Sequence, residues 1–148
     1  MLLLGVMILV VYGYVRIPYY VAKKSLLLQF NYSYATYNDV FEKRKILLSD
    51  TYLKKYYTNS LEQQLQLMKE QKESSRLLVL ELGVRNQDGS IPYTAAYELS
   101  YENGEIPTQI VHIEGVQFME QKWLVCWKVM DNIVTHSCSN QAGEEHVH

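Results

Sequence analysis

The chain has 148 residues, of which 48% are hydrophobic, and this length allows one domain with its own core, since single-core domains typically have about 100 to 150 residues. Its formal net charge of −2 is unevenly divided, because residues 1–75 carry ten Lys or Arg against six Asp or Glu, whereas residues 76–148 carry four against ten. The basic residues are dispersed rather than concentrated in one stripe, which argues against nucleic-acid binding.

The N-terminal segment, residues 2–15, contains fourteen consecutive residues without a charge. Continued past Arg16, this segment reaches the roughly 20 residues that a transmembrane helix needs. Tyr19 and Tyr20 then suit the headgroup level of a bilayer. No convincing signal-peptidase site follows the apolar run, so the sequence predicts an uncleaved transmembrane anchor over residues 1–22. The alternative interpretation is a helix buried in the core of the domain.

The charges beside the predicted anchor bear on its orientation. No Lys or Arg precedes the apolar run, whereas Arg16, Lys23 and Lys24 follow it. The positive-inside rule therefore predicts that the rest of the chain lies in the cytoplasm.

Capping signals divide the next part of the chain into three or four predicted helices. Thr36 with Asp39 has the spacing of a capping box, and Ser49 begins a segment with an apolar stripe of tyrosine and leucine. Ser60 with Gln63 is a second capping box. The predicted helices run over about residues 18–34, 36–48, 49–57 and 60–75.

Three consecutive basic residues, Lys43, Arg44 and Lys45, lie in the second of these helices. Such a run is most simply a solvent-exposed helix face. The alternative is contact with anionic lipid or with an acidic partner.

Four strand-like segments follow, separated by turn signals, over about residues 77–84, 93–101, 106–119 and 123–130. Asp88-Gly89 and Asn103-Gly104 both supply the positive φ of a tight hairpin turn. A further turn is predicted near residues 120–121. Gly115 interrupts the long third segment and indicates a bulge that bends the sheet. The sequence therefore predicts a curled four-stranded antiparallel meander.

Helices that precede a run of strands are typical of the α+β class, with the helices packed on one face of the sheet. We therefore predict an N-terminal membrane helix and then a domain over residues 23–131, with three or four helices on the curled sheet. Residues 132–148 are rich in Ser, Asn, Gln and Glu and are predicted to form a flexible tail.

The sequence does not predict a metal site or a cofactor. His112 and His136 lie on separate segments, and two further histidines lie at the C-terminal end. The two cysteines, Cys126 and Cys138, suggest a buried thiol and a free tail thiol. A disulfide between them is the alternative in an oxidising compartment.

The aromatic rows of the predicted sheet are candidate interaction or pocket residues. Tyr93, Tyr97 and Tyr101 alternate on the second strand, and Trp123 and Trp127 share a side of the fourth. Rows of this kind are most often core. Their alternative role is an exposed docking patch.

His112 and Glu114 are two apart on the third strand and therefore point the same way. They could act as a catalytic base and its orienting partner, with Tyr97 and Tyr101 nearby. The simpler interpretation is a pair of solvent-facing residues on the outer side of the sheet. No motif in the chain names a reaction, so we predict a protein that is not an enzyme.

The segment Asp50–Tyr56, the helix after it and the four strands ending in Gln121–Val125 resemble the nuclear transport factor two-like superfamily of cone-shaped α+β rolls. The resemblance covers about residues 20–130 and rests on the pattern of elements. No functional residue of that superfamily can be placed on this chain.

Anchored members of this superfamily include scaffold subunits of type IV secretion and conjugation channels. The resemblance thus implies a single-pass, non-enzymatic assembly protein whose domain is extracytoplasmic, on the opposite side to that given by the positive-inside rule. Implied partners are the membrane, other channel or envelope proteins and further copies of the chain. The same fold hosts ketosteroid isomerases, so the alternative is a cone-pocket ligand binder or an isomerase-like enzyme.

Overall fold

The computed structural model describes residues 2–56, 59–102, 104–123 and 126–141. These residues form five helices followed by four strands, which confirms the α+β class. The elements are α1 (Leu2–Val15), α2 (Ile17–Phe30), α3 (Tyr37–Lys45), α4 (Asp50–Tyr56), α5 (Asn59–Gln71), β1 (Glu73–Leu82), β2 (Ile91–Tyr101), β3 (Gln109–Trp123) and β4 (Cys126–Gln141).

The four strands form one antiparallel sheet in the order β1-β2-β3-β4, which confirms the predicted meander. Gly89 lies in the turn between β1 and β2 with a φ of 84°, and Gly104 lies between β2 and β3 with a φ of 65°. Both values are in the region that favours glycine. The turn at Asp88-Gly89 is therefore confirmed, while Asn103 lies outside the described residues.

The predicted bulge at Gly115 is also confirmed. The pairing of β3 with β4 shifts register between Glu114 and Gly115, and again at two later points along β3. A Cβ added to Gly115 would lie 2.5 Å from the hydroxyl of Tyr93. Glycine is required here because the tyrosine ring crosses the strand at this point, and the register shifts increase the local bend of the sheet.

Two clusters form the core where the helices cover one face of the sheet. One lies between α2 and strands β2 and β3, and the other joins α2 and α4 to β4. Along β2, alternate residues face the helices, as the sequence predicts. The buried members are Leu26, Phe30, Tyr93, Ala95, Val111 and Ile113 in the first cluster and Val21, Leu48, Tyr52, Trp127 and Val129 in the second.

The helix starts are predicted better than the helix ends. The Ser49 hydroxyl accepts a hydrogen bond from the Tyr52 N–H at 3.1 Å and so caps α4. Thr36 precedes α3, but its hydroxyl lies 3.0 Å from that of Ser33 and makes no cap bond, so the predicted capping box is not formed. The predicted helical residues Ser74 and Ser75 belong instead to β1.

The prediction of a flexible tail from residue 132 is wrong for the part that the structure describes. Residues 132–141 complete β4 and pair with β3, with Ser137 opposite Ile113 and Asn140 opposite Ile110. The predicted turn near residues 120–121 is also wrong, because β3 continues to Trp123. A polar composition does not prevent strand formation where the neighbouring strand supplies the backbone hydrogen bonds.

The predicted boundary at residue 22 falls inside α2. Pro18, Val21 and Ala22 are buried, and Val21 belongs to the second core cluster. The start of α2 is therefore part of the domain. Among the described residues, no helix combines the length and the apolar character needed to cross a membrane.

Candidate interaction surfaces and helix–sheet pocket

A pocket of about 250 Å³ lies between the helices and the sheet. Its walls come from the end of α2, from α3, α4 and α5, and from the paired ends of β1 and β2. Phe41, Tyr56 and Tyr97 contribute aromatic surface, and two charged side chains, Arg44 and Glu73, also line it. The pocket walls therefore mix apolar and aromatic side chains with polar ones, which include Gln29, Gln64 and Ser75.

Arg44 is only 3% exposed, so the prediction of a solvent-exposed face is wrong for this residue. Its Nη2 donates to Gln29 Oε1 at 3.1 Å and to the Tyr52 hydroxyl at 3.3 Å, and its Nε lies 3.5 Å from Ser25 Oγ. The helix α3 packs against α2 and thereby turns this one side chain inward. Lys43, its neighbour, is exposed.

The partners of the buried guanidinium are uncharged. Its central carbon lies 5.7 Å from the ring centre of Tyr56 and 6.0 Å from that of Tyr52, within the range of cation–π attraction. The salt bridges among the described residues do not include Arg44. Protein dipoles and aromatic faces thus solvate the positive charge, and no carboxylate of the described residues forms a salt bridge with it.

Glu73 provides the acidic group of the pocket. Its Oε1 accepts a hydrogen bond of 2.6 Å from the Tyr32 hydroxyl. Burial and then the Glu73 carboxylate raise the pKa of the Tyr32 hydroxyl well above its ordinary value. Burial followed by Glu73 likewise raises the pKa of Tyr101 to about 12. The raised pKa values extend the protonated form of both tyrosines into more alkaline solution.

The tyrosine row of β2 lies on the helix-facing side of the sheet. Tyr97 lines the pocket and stacks on Phe30 with ring centres 4.6 Å apart. Tyr93 is buried beneath α2, and its hydroxyl donates to Asn132 Oδ1 at 2.7 Å. Burial raises the pKa of Tyr93 to about 12. Tyr93 thus has a core role, whereas Tyr97 contributes to the pocket.

His112 and Glu114 are exposed on the outer face of the sheet and do not line the helix–sheet pocket. In the β3–β4 register His112 is opposite Cys138 and Glu114 is opposite His136, so strand pairing brings together residues that are distant in the sequence. Within the described part of the chain, no group of three or more His, Cys, Asp or Glu side chains is arranged to hold a metal ion.

The two tryptophans do not form one row, because they lie on different strands. Trp123 ends β3 and is 71% exposed, whereas Trp127 is buried in β4 with the Arg85 guanidinium 4.9 Å from its ring centre. A solvent-exposed tryptophan of this kind is a frequent anchor of protein interfaces. Trp123 is therefore the better candidate for an interaction residue.

The two cysteines are both exposed and unbonded, so the prediction of a buried thiol at Cys126 is wrong. They lie at opposite ends of β4, twelve positions apart. At about 3.3 Å per residue, this separation is on the order of 40 Å. A disulfide between Cys126 and Cys138 of one chain is excluded by that distance.

Comparison with known proteins gives no match to any family model, any curated protein or any solved structure. The resemblance to the nuclear transport factor two-like superfamily therefore stays a prediction. Function has to be inferred from the surfaces and the pocket themselves.

Proposed function

We propose that this chain is a membrane-anchored, non-enzymatic assembly protein, similar in role to the scaffold subunits of type IV secretion or conjugation channels. The observation that carries the proposal is the exposure of residues 2–9 of α1. In this proposal α1 enters the bilayer, and the domain that begins with α2 makes protein contacts at the membrane surface.

The apolar surface of α1 over residues 2–9, whose side chains the structure describes, extends around all sides of the helix. Seven side chains are between 52% and 87% exposed, and successive residues of an α-helix point about 100° apart. A helix that docks on one protein needs only one apolar stripe, whereas a helix that is apolar on all sides suits a lipid environment. The seven side chains are Leu2, Leu3, Leu4, Val6, Met7, Ile8 and Leu9.

The residues that follow α1 suit the headgroup region. Arg16, Lys23 and Lys24 are exposed, and Lys24 Nζ lies 5.7 Å from the ring centre of the exposed Tyr20. Basic and aromatic side chains favour this depth. The 14 residues of α1 extend about 21 Å, which is shorter than the roughly 30 Å hydrocarbon core of a bilayer. The bilayer therefore has to thin around this anchor, or flanking side chains have to snorkel to the interface.

The proposed protein contacts use the domain. Trp123 is an exposed aromatic anchor, and Ile133 and Val134 are exposed on β4, the edge strand of the sheet. We propose that these surfaces contact other channel or envelope proteins or another copy of the chain. The proposed extracytoplasmic location follows the superfamily resemblance, and protease protection in spheroplasts distinguishes it from the cytoplasmic location favoured by the flanking charges.

Membrane association is tested by flotation of the full chain with liposomes. The double variant Leu4→Asp/Ile8→Asp places two charges in α1, each costing about 2.5 to 3.5 kcal/mol at the centre of a membrane helix, and should abolish flotation. The matched control makes the same changes at Ile46 and Val84, which are also exposed but lie in the domain. Equal flotation of the two double variants would contradict the anchor.

Assembly is tested separately by cross-linking in membrane vesicles that contain the chain and co-expressed envelope proteins. Trp123→Ala should remove cross-linked partners or oligomers while leaving flotation unchanged, because the side chain is exposed and lies outside α1. Leu67→Ala, at an exposed leucine of α5, is the control. If the parent protein forms no cross-linked species with itself or with co-expressed envelope proteins, the assembly role is wrong.

A further inference from the structure

We propose that the helix–sheet pocket is a binding site for a compact organic monoanion, a carboxylate with an apolar or aromatic body, and that Arg44 is its carboxylate partner. This site is independent of membrane association. It would be present whether or not α1 enters a bilayer.

The pocket has a positively charged side chain, Arg44, in its wall. Arg44 is 3% exposed and lines the pocket, yet its hydrogen bonds go to Ser25, Gln29 and Tyr52, none of which is charged. These bonds use Nε and Nη2, and Nη1 has no hydrogen bond to any described residue. The guanidinium therefore keeps donor capacity and a charge that no salt bridge neutralises at the pocket wall, and a carboxylate is the group that matches its donors.

The volume and the lining of the pocket limit the size and polarity of a ligand. A volume of 250 Å³ equals that of about eight water molecules at ~30 Å³ each, so the pocket has room for a small organic molecule. Phe41 and Tyr97 provide aromatic surface, and Leu65 and Met68 of α5 provide aliphatic surface. Because polar side chains line the rest of the pocket, it suits a molecule that has both an apolar or aromatic part and a polar group.

The same pocket also contains an acidic side chain, Glu73. Glu73 lines the cavity and accepts the hydrogen bond of Tyr32, so part of the wall is negative. An organic monoanion can place its carboxylate at Arg44 and its uncharged body nearest Glu73, whereas inorganic phosphate has no uncharged part to turn toward that carboxylate. The pocket thus favours an anion whose charge is confined to one end.

The experiment is calorimetric titration of the full chain in lipid nanodiscs with three probes: phenylacetate, phenylacetamide and inorganic phosphate. Empty nanodiscs measure partitioning into lipid. Phenylacetate should bind, and the amide and phosphate should bind at least about tenfold more weakly, since a charge-assisted pair is lost or a repulsion is gained. Equal affinity for phenylacetate and its amide, or absence of phenylacetate binding, would overturn the proposal.

Variants locate the binding. Arg44→Gln should weaken phenylacetate binding by at least about tenfold, whereas Lys43→Gln, which removes the same charge from the exposed side of α3, should leave it unchanged. Leu65→Phe keeps Arg44 and fills part of the pocket, so it should also weaken binding even if Arg44→Gln does not fold. Retained affinity in Leu65→Phe, or an equal loss in Lys43→Gln, would place the ligand elsewhere and refute the site.

Discussion

The first two helices, α1 and α2, are both 14 residues long but have opposite environments. The helix α1 carries no charged residue, yet its described side chains from Leu2 to Leu9 are exposed. The helix α2 contains Lys23, Lys24 and Ser25, yet it buries six residues within the domain. Apolar composition alone therefore does not decide burial, because a helix also needs an opposing surface of matching shape.

The largest expected effect comes from shortening the same side chain in both helices. Leu26→Ala should lower the free energy of unfolding by about 2 to 5 kcal/mol, because Leu26 is fully buried in the first core cluster. Leu4→Ala should change it by less than about 0.5 kcal/mol. Urea denaturation in mild detergent, followed by circular dichroism, measures both. Similar losses would show that α1 is also part of the domain core.

A methyl group added to a glycine sharpens the same contrast. Gly115→Ala should destabilise the domain by about 1 to 3 kcal/mol, because the new Cβ would meet the ring and hydroxyl of Tyr93, a core partner of α2. Gly5→Ala in α1 meets no atom within 4 Å and should stabilise its helix slightly. Thermal unfolding compares the two. The smaller side chain of Tyr93→Leu should partly restore stability to Gly115→Ala, and the absence of such rescue would reject the clash.

A smaller effect is expected where α2 ends on the sheet. The buried Ser75 hydroxyl donates to the carbonyl of Phe30, the last residue of α2, at 2.7 Å. Ser75→Ala should cost about 1 to 2 kcal/mol, because a buried helix-end carbonyl loses its partner. Ser74→Ala, one position away, is the control and should be close to neutral. Equal unfolding midpoints for the two variants would mean that this bond does not hold α2 in place.

The smallest effect is a pH dependence from the tyrosine beneath α2. Burial raises the pKa of Tyr93 to about 12, whereas the unfolded chain has an ordinary tyrosine value near 10. Between these two pH values the tyrosine of the unfolded chain loses its proton first. The contribution of Tyr93 to the stability of the folded state is therefore complete below about pH 10 and is lost as the pH rises toward about 12. Tyr93→Phe should flatten the decline of stability over this range. An unchanged slope, measured by urea denaturation at several pH values, would contradict it.

Sequence reasoning recovered the features that depend on local chemistry. Gly89 at the first hairpin turn, the bulge at Gly115 and the inward row of Tyr93 and Tyr97 follow from positive φ, lost pairing and strand alternation. It missed the strand after residue 132, because a polar strand is stabilised by its neighbour.

The residues of the pocket were also missed, because their burial depends on contacts between distant elements. Arg44 lies between two lysines and has the sequence signature of a solvated face, and only the packing of α3 on α2 turns it inward. Glu73 belongs to β1, which the sequence predicted to begin four residues later, at Leu77. Helical periodicity could have suggested that one member of the basic run faces inward, but no local signal identifies which surface it meets.

The amino-acid sequence by itself determined the order of helices and strands, the glycine positions where the sheet turns or bends, and an apolar first helix. These features follow from backbone conformation and side-chain periodicity over a few neighbouring residues. The tertiary structure alone decided that Arg44 is buried beside an open cavity and that Trp123 and Trp127 separate. The physical reason is that the burial of a side chain depends on which elements, distant in the sequence, pack together. The interaction energy of a charge or an aromatic ring in turn depends on the groups that this packing places around it.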